Sequence, residues 1–288
     1  MQAIRLVSTK DMSHDDWLDW RRKGIGGSDV AAICGLSRYR SPMEVYLDKL
    51  GEIPPIDDNP KMLAGRKLEP FIADWFAEET GLKVWRQNYI FRHSEHEFMF
   101  ANIDRWLPGL NAGLEIKNTS EYGREDWSGT QAPQEYVLQC NHYMAVTGAD
   151  RWYIAVLIGG WDFQWRIIER DDELINNLIV VEREFWTNHV LAKVPPAFSH
   201  QDTQRLGEMF PQSNSDSIDL GEDAYPIIQQ LLEARKVKAN AVMQEQTAKN
   251  QIKGMMGEAE RAYWQGELAF TWKTGAKSRT FRVIGGND

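Results

Sequence analysis

Three acids and a lysine, Glu69, Asp104, Glu115 and Lys117, are the residues of this 288-residue chain whose types suit one chemistry together. Glu115 and Lys117 lie in the stretch Gly113-Leu114-Glu115-Ile116-Lys117-Asn118, with a single residue between them. On a β-strand, residues two apart point to the same face. Glu115 and Lys117 then project together while Leu114 and Ile116 pack behind. Asp104 stands eleven residues before Glu115, at the end of the apolar run Phe98-Met99-Phe100-Ala101-Asn102-Ile103. Hydrolysis of a phosphodiester needs charge compensation at the phosphate, a deprotonated water and a stabilised leaving oxygen. Mg²⁺ held by hard carboxylate oxygens supplies much of this, and Mn²⁺ is expected to substitute. Asp104 and Glu115 are the candidate ligands, with the Ile116 carbonyl completing the set. Lys117 is placed to hold or deprotonate the attacking water and to counter developing charge. Glu69 would support a second metal or a metal-bound water. A Glu-x-Lys pair on a strand is also a common solvated face, and the spacing alone does not separate the two readings.

The surrounding elements must position these groups. Ser13 opens a helix over 13–23, and Gly24-Ile25-Gly26-Gly27 breaks it. Ser28 is expected to cap a short helix over 29–34 that Gly35 closes. Ser41-Pro42-Met43-Glu44 is a further helix start, with Pro at the first position. Residues 54–60 read as an irregular loop, followed by a long helix over 61–80 in which Pro70 marks a bend or a break. Strands are expected over 83–92, 97–104 and 112–118, a helix over 133–147, strands over 151–158 and 163–169, and a helix over 171–191. This order implies an α/β fold with a mixed central sheet flanked by helices. Residues 1–200 form the expected main domain and 201–221 a linker. Residues 222–288 form a C-terminal extension of helices and a short basic β element.

Bulk properties exclude several classes. The hydrophobic and charged fractions, 42% and 26%, are those of an ordinary globular chain, and no apolar run is long enough for a membrane span. The two cysteines, Cys34 and Cys140, fall in expected helices, so no disulfide and a reducing, cytoplasmic compartment are expected. A net charge of −9 argues against a protein that coats nucleic acid. The charge is uneven: residues 222–288 hold ten Lys/Arg against eight Asp/Glu, so the first 221 carry −11. Lys273, Lys277, Arg279 and Arg282 lie near Trp272 and Phe281 with no acid between 271 and 283, a segment suited either to phosphates or a partner protein, or to an ordinary exposed hairpin. His93 and His96, with Glu95 and Glu97, read as a solvated turn.

The wider pattern resembles the YqaJ-type viral recombinases, phage and prophage nucleases related to lambda exonuclease within the PD-(D/E)xK superfamily. The resemblance rests on Trp17-x3-Arg21-x3-Ile25-Gly26-Gly27-Ser28-Asp29, Ser41-Pro42-x-Glu44-x-Tyr46, Gly65-x3-Glu69, Asp104, Leu114-Glu115-Ile116-Lys117 and Gln139-x2-His142-Tyr143-Met144, in that order. It runs from about Trp17 to Glu184, and Thr271-Trp272-Lys273 in the tail is similar to extended members. Asn102-Ile103-Asp104 departs from the literal Pro-Asp and keeps the metal ligand.

This resemblance implies a restriction-endonuclease-like core and a Mg²⁺-dependent exonuclease of phage or prophage origin. Such an enzyme digests one strand of duplex DNA from a 5′ end and leaves a 3′ overhang for a single-strand annealing protein. It implies Asp104, Glu115 and the Ile116 carbonyl as metal ligands, Glu69 and Lys117 as catalytic, and Gln139 beside the water or metal. Arg21 and Ser28 match positions that hold the terminal 5′-phosphate. Arg offers a fork of donors suited to phosphate, and Ser28 follows a glycine-rich turn at a helix start. Met62, with Leu63 as its neighbour, falls where lambda exonuclease carries a strand-separating wedge. A ring-shaped homotrimer is the implied assembly. An endonuclease on the same fold and an inactive DNA-end-binding protein are the alternatives.

Overall fold

Side-chain caps and left-handed glycines set the helix boundaries, and the strands fall between them. The computed structural model describes residues 3–54 and 59–284, so the loop expected at 54–60 lies largely outside the described residues. The chain forms two compact units, Met1–Gln212 and Ser213–Asp288.

In the first unit, Ser13 caps α1 (His14–Arg22) by accepting from Asp16 N. Gly26, not Ser28, is the N-cap of α2 (Gly27–Ile33). Ser28 therefore sits inside the first turn, where its hydroxyl is released from capping. Ser41 and Glu44 form a capping box at the start of α3 (Pro42–Leu50), which ends at Gly51 in the left-handed region. Asn59 caps α4 (Pro60–Thr80), and this helix runs on through Pro70 without a break. Helices α5 (Gln134–Thr147) and α6 (Asp172–Phe185) follow the expected positions, with a π-helical segment, Trp186–Leu191, continuing α6.

The strands are β1 (Ile4–Ser8), β2 (Ile25–Gly26), β3 (Trp85–Arg86), β4 (Tyr89–Arg92), β5 (Met99–Asn102), β6 (Arg105–Leu107), β7 (Ala112–Thr119), β8 (Arg151–Ile158) and β9 (Asp162–Glu169). They form a five-stranded sheet in the order β3-β6-β7-β8-β9 and a four-stranded sheet in the order β1-β4-β5-β2. The mixed sheet is thus divided. Its run over 97–104 stops at Asn102, and Asp104 lies in the step between β5 of one sheet and β6 of the other. The β7–β8 pair is parallel, with α5 as its crossover.

Leu114 on β7 packs with Ile72 and Phe76 of α4 and with Leu107 and Tyr153, with Ile116 against the same cluster. The opposite side is covered by α5, where Cys140, Tyr143 and Met144 pack with Trp152 and Ile154. Residues 201–209, expected as linker, instead continue the first unit through a short 3-10 turn (His200–Asp202) and α7 (Thr203–Met209). Buried Asp202 accepts from the Ser41 hydroxyl, and Gln201 Nε2 donates to the Ser37 carbonyl at 2.6 Å. These long-range bonds hold a segment whose polar composition reads as loop.

The second unit carries α8 (Tyr225–Met256) and the antiparallel sheet β10 (Arg261–Trp264), β11 (Glu267–Thr274) and β12 (Arg279–Val283).

Gly113 on β7 has no room for a side chain, because a Cβ there would fall within the fully buried Trp152 ring. Gly113→Ala is expected to cost about 1–3 kcal/mol by overpacking. Thermal unfolding measures this, and an unchanged midpoint would mean that Trp152 can rotate away.

Candidate active site

Strand β7 delivers Glu115 and Lys117 to the side covered by α5, as the two-residue period requires. Lys117 Nζ is 2.7 Å from Glu115 Oε1 and donates to Gln139 Oε1 at 3.1 Å. Gln139 Nε2 donates to the same Glu115 oxygen at 2.7 Å and to the Tyr143 hydroxyl at 2.9 Å. Every polar atom of this amide is used, and its orientation follows: reversing it would set an NH₂ against the ammonium and an oxygen against the carboxylate. Glu115 Oε2 is buried and has no partner among the described residues. Buried polar atoms are almost always satisfied, so this oxygen is open to a partner that the protein itself does not supply.

Asp104 enters from the break between the sheets. Its Oδ2 accepts from Ile116 N at 2.9 Å, which ties the acid to the strand that carries Glu115. Burial raises the Asp104 carboxyl well above its ordinary value, and the nearby charges of Glu115 and Glu69 push it the same way. Lys117 is also raised, for a different reason. Burial alone would lower it, but Glu115 and the Tyr136 side chain outweigh that and raise it. The ammonium also sits 4.7 Å from the centre of the Tyr136 ring. Lys117 is therefore a fixed cation and hydrogen-bond donor at neutral pH rather than a free base.

Glu69 reaches the site from α4, but its Oε1 is held by Arg105 at 2.6 Å. This guanidinium also donates to the Asp104 carbonyl. Among the described residues no three His, Cys, Asp or Glu side chains converge as a metal cluster. The candidate donors brought together are instead two carboxylates, Asp104 and Glu115. An uncompensated Asp104 beside the orphaned Glu115 oxygen fits a hard divalent cation, with Glu69 one step removed through Arg105.

A second constellation lies against the first. Arg21 Nη2 donates to Ser28 Oγ at 3.1 Å, and its guanidinium lies over the Trp17 ring. Behind them Asp29 is fully buried and meets Lys49 at 2.6 Å, Arg40 at 2.9 Å and Arg21 at 3.7 Å. Burial would raise the Asp29 carboxyl, yet Lys49, Arg21 and Arg40 together hold it far below the ordinary carboxylate range. Gly27 joins the two constellations: a Cβ there would stand 2.6 Å from the Tyr143 ring and 3.1 Å from Gln139 Cγ. The Ser28 turn thus rests directly on the helix that supplies Gln139.

Met62 and Leu63 are both exposed on the first turn of α4, so neither is a core residue. His93 Nδ1 accepts from the backbone N–H groups of Glu95 and His96, the signature of a structured turn. Cys34 and Cys140 are free, and burial raises both thiols, Cys34 to about 11 with help from Glu182. Sequence reasoning missed Asp29, Lys49, Arg105, Tyr136 and Tyr143 as parts of the site. The Arg40 guanidinium is spent on Asp29 and Asp48.

The fold is that of restriction-endonuclease-like nucleases. It matches the alkaline exonuclease LHK-Exo of Laribacter hongkongensis with a TM-score of 0.52, at 19% identity over 68% of this chain and all of that one. The LHK-Exo complex with dAMP gives 0.53 at 20% identity over the same shares. Residues 16–150 match the YqaJ-like viral recombinase domain. Bacillus subtilis YqaJ is 38% identical over 284 residues, covering 96% of this chain and 89% of its own length. The chain belongs to the YqaJ-like viral recombinase family. A mimivirus protein, R354, is 24% identical over 52% of this chain and 30% of its own.

The Asp29 cluster generates a stability test. Removing its charge leaves three cations facing one another, so Asp29→Asn is expected to cost about 3–5 kcal/mol at neutral pH. A depressed carboxyl stabilises the fold above the unfolded value of 3.8 and loses that contribution as pH falls below it. Urea unfolding should therefore show the gap between wild type and variant narrowing from about pH 7 to about pH 3. A gap independent of pH would assign the cost to packing alone.

Proposed function

We propose that this protein is a Mg²⁺-dependent exonuclease that resects linear duplex DNA from its 5′ ends. The product is a 3′ single-stranded overhang for a single-strand annealing protein. The observation that carries this reading is the orphaned Glu115 Oε2 beside the raised Asp104, with Lys117 and Gln139 fixed around them. Asp104, Glu115 and the Ile116 carbonyl would hold the cation, whose bound form lowers the pKa of water and offsets charge on the phosphate.

The chain's own residues divide the remaining work. Lys117, kept protonated by Glu115, orients the attacking water through its N–H donors and faces the charge that develops on the phosphoryl oxygens. Gln139 fixes Lys117 and Glu115 relative to each other, so neither must reorganise during the reaction. Arg105 neutralises Glu69 and leaves Asp104 and the unpartnered Oε2 of Glu115 open to a cation. Arg21 and Ser28 offer donors to a terminal 5′-phosphate, and anchoring that group next to the metal ligands accounts for 5′ polarity. Met62, exposed at the start of α4, serves as the wedge between the last base pairs, with Leu63 beside it. A ring-shaped homotrimer around DNA would give processivity by topology.

The test is digestion of end-labelled linear duplex bearing a 5′-phosphate or a 5′-hydroxyl. Mg²⁺ should support digestion from the 5′ end, EDTA should stop it, and covalently closed circles should survive. Rapid cutting of circles would assign an endonuclease instead. Lys117→Ala is expected to lower the rate by about 10³-fold or more while DNA binding persists. Digestion at the wild-type rate would exclude the assigned mechanism. Arg21→Ala should reduce the preference for phosphorylated ends by about tenfold, the worth of a charge-assisted hydrogen bond. An unchanged preference would remove Arg21 from the phosphate site.

A further inference from the structure

The C-terminal unit carries a charged surface that the nuclease reading does not use. Residues 261–283 contain five Lys/Arg and one acid, Glu267, in a chain whose net charge is −9. The sheet register sorts these cations into two groups. Phe270 and Trp272 on β11 pair with Val283 and Phe281 on β12, and this face turns toward α8, where Lys253 lies over the Trp272 and Phe281 rings. Arg279 belongs to the same face and is fully committed. It stacks over Trp272 at 3.7 Å and donates to the carbonyls of Gly257, Ala259 and Trp272. It closes the C-terminal end of α8 onto the sheet and is a structural residue.

The opposite face is different. Arg261 on β10 and Arg282 on β12 both pair with Thr271 on β11, so the two arginines flank it in one row. Strand spacing sets them roughly 10 Å apart. Lys273 lies two residues along β11, roughly 7 Å from that row. All three are exposed, and none has an ion-pair partner among the described residues. Like charges placed together without acids between them are unfavourable in the free protein, which is the arrangement expected of a surface that meets a polyanion. Trp264 at the end of β10, 69% exposed, pairs with Glu267 on β11 and shares this face, whereas Tyr263 pairs with Leu268 and lies on the other. Cations that follow a backbone, with aromatic rings open to stacking, are the combination that binds single strands without sequence preference.

We propose that this outer face of the β10-β11-β12 sheet is a binding surface for single-stranded DNA. Arg261, Lys273 and Arg282 contact phosphates, and Trp264 stacks on a base. The surface is a separate feature from the nuclease site and does not depend on its activity.

Fluorescence anisotropy of the full chain in EDTA tests this with a labelled oligothymidylate of about 30 nucleotides across a salt series. The triple variant Arg261→Gln/Lys273→Gln/Arg282→Gln should bind about tenfold or more weakly. Its log–log salt slope should be shallower by about 2, since each single-strand phosphate contact contributes about 0.7. Circular dichroism checks that the variant keeps its helix content. If it does not fold, the single variants Arg261→Gln and Arg282→Gln decide, each expected to flatten the slope by about 0.7. Trp264→Ala should weaken binding with the slope unchanged. Wild-type affinity and slope in the charge variants would overturn the proposal. So would displacement of the oligonucleotide by polyglutamate as effective as by unlabelled oligothymidylate, which would indicate an acidic protein partner.

Discussion

A fully buried carboxylate, Asp29, organises the front of the molecule. Its oxygens engage Lys49 from α3, Arg40 from the segment before α3 and the Gly26 N–H at the start of α2, with Arg21 of α1 just beyond. Four pieces of backbone are thereby held around one charge, in addition to the apolar cluster that α2 and α3 share. A buried ion cluster contributes little net stability compared with a well-packed apolar alternative, but it does specify geometry once formed. Here the geometry it specifies is the position of the Arg21 guanidinium over the Ser28 hydroxyl.

The acids of the candidate site depend on the same kind of constraint. Glu115 is buried and Asp104 half-buried, near enough for their charges to raise the Asp104 carboxyl, which would be costly without structure to impose it. Gln139 imposes it on one side by spending all of its hydrogen-bonding capacity on Glu115, Lys117 and Tyr143. Arg105 imposes it on the other by occupying Glu69. Because Gly27 lets the Ser28 turn settle on Tyr143 and Gln139, the groups that would meet a DNA end and the groups that would cut it share one helix, α5.

Local signals carried much of this in the sequence. The two-residue period placed Glu115 and Lys117 on one face, and capping residues at Ser13, Ser41 and Asn59 set three helix starts. What was not legible depends on contacts between distant segments. Ser28 looks like a cap because Ser is a strong capping residue, yet Gly26 takes that position and Asp29 supplies the bond to its N–H. Lys49 and Asp29 are separated by a helix, so no short pattern joins them. Residues 201–209 read as linker from composition and are retained by Asp202, whose partner Ser41 lies far back in the chain. The division of the sheet at residues 103–104 is likewise a pairing choice with no local marker.

That division explains a property of the motif itself. Asp104 is fixed by its bond to Ile116 N, and β6 is registered on β7 by the pairs Arg105 with Leu114 and Leu107 with Ala112. The number of residues between the two acids is then the length of this ladder plus its turn, residues 108–111, and only the ladder bears on where the acids meet. Turn length is free to drift without moving either carboxylate. The interval from Asp104 to Glu115 is therefore set by the ladder and its turn together, and only the ladder carries a chemical requirement.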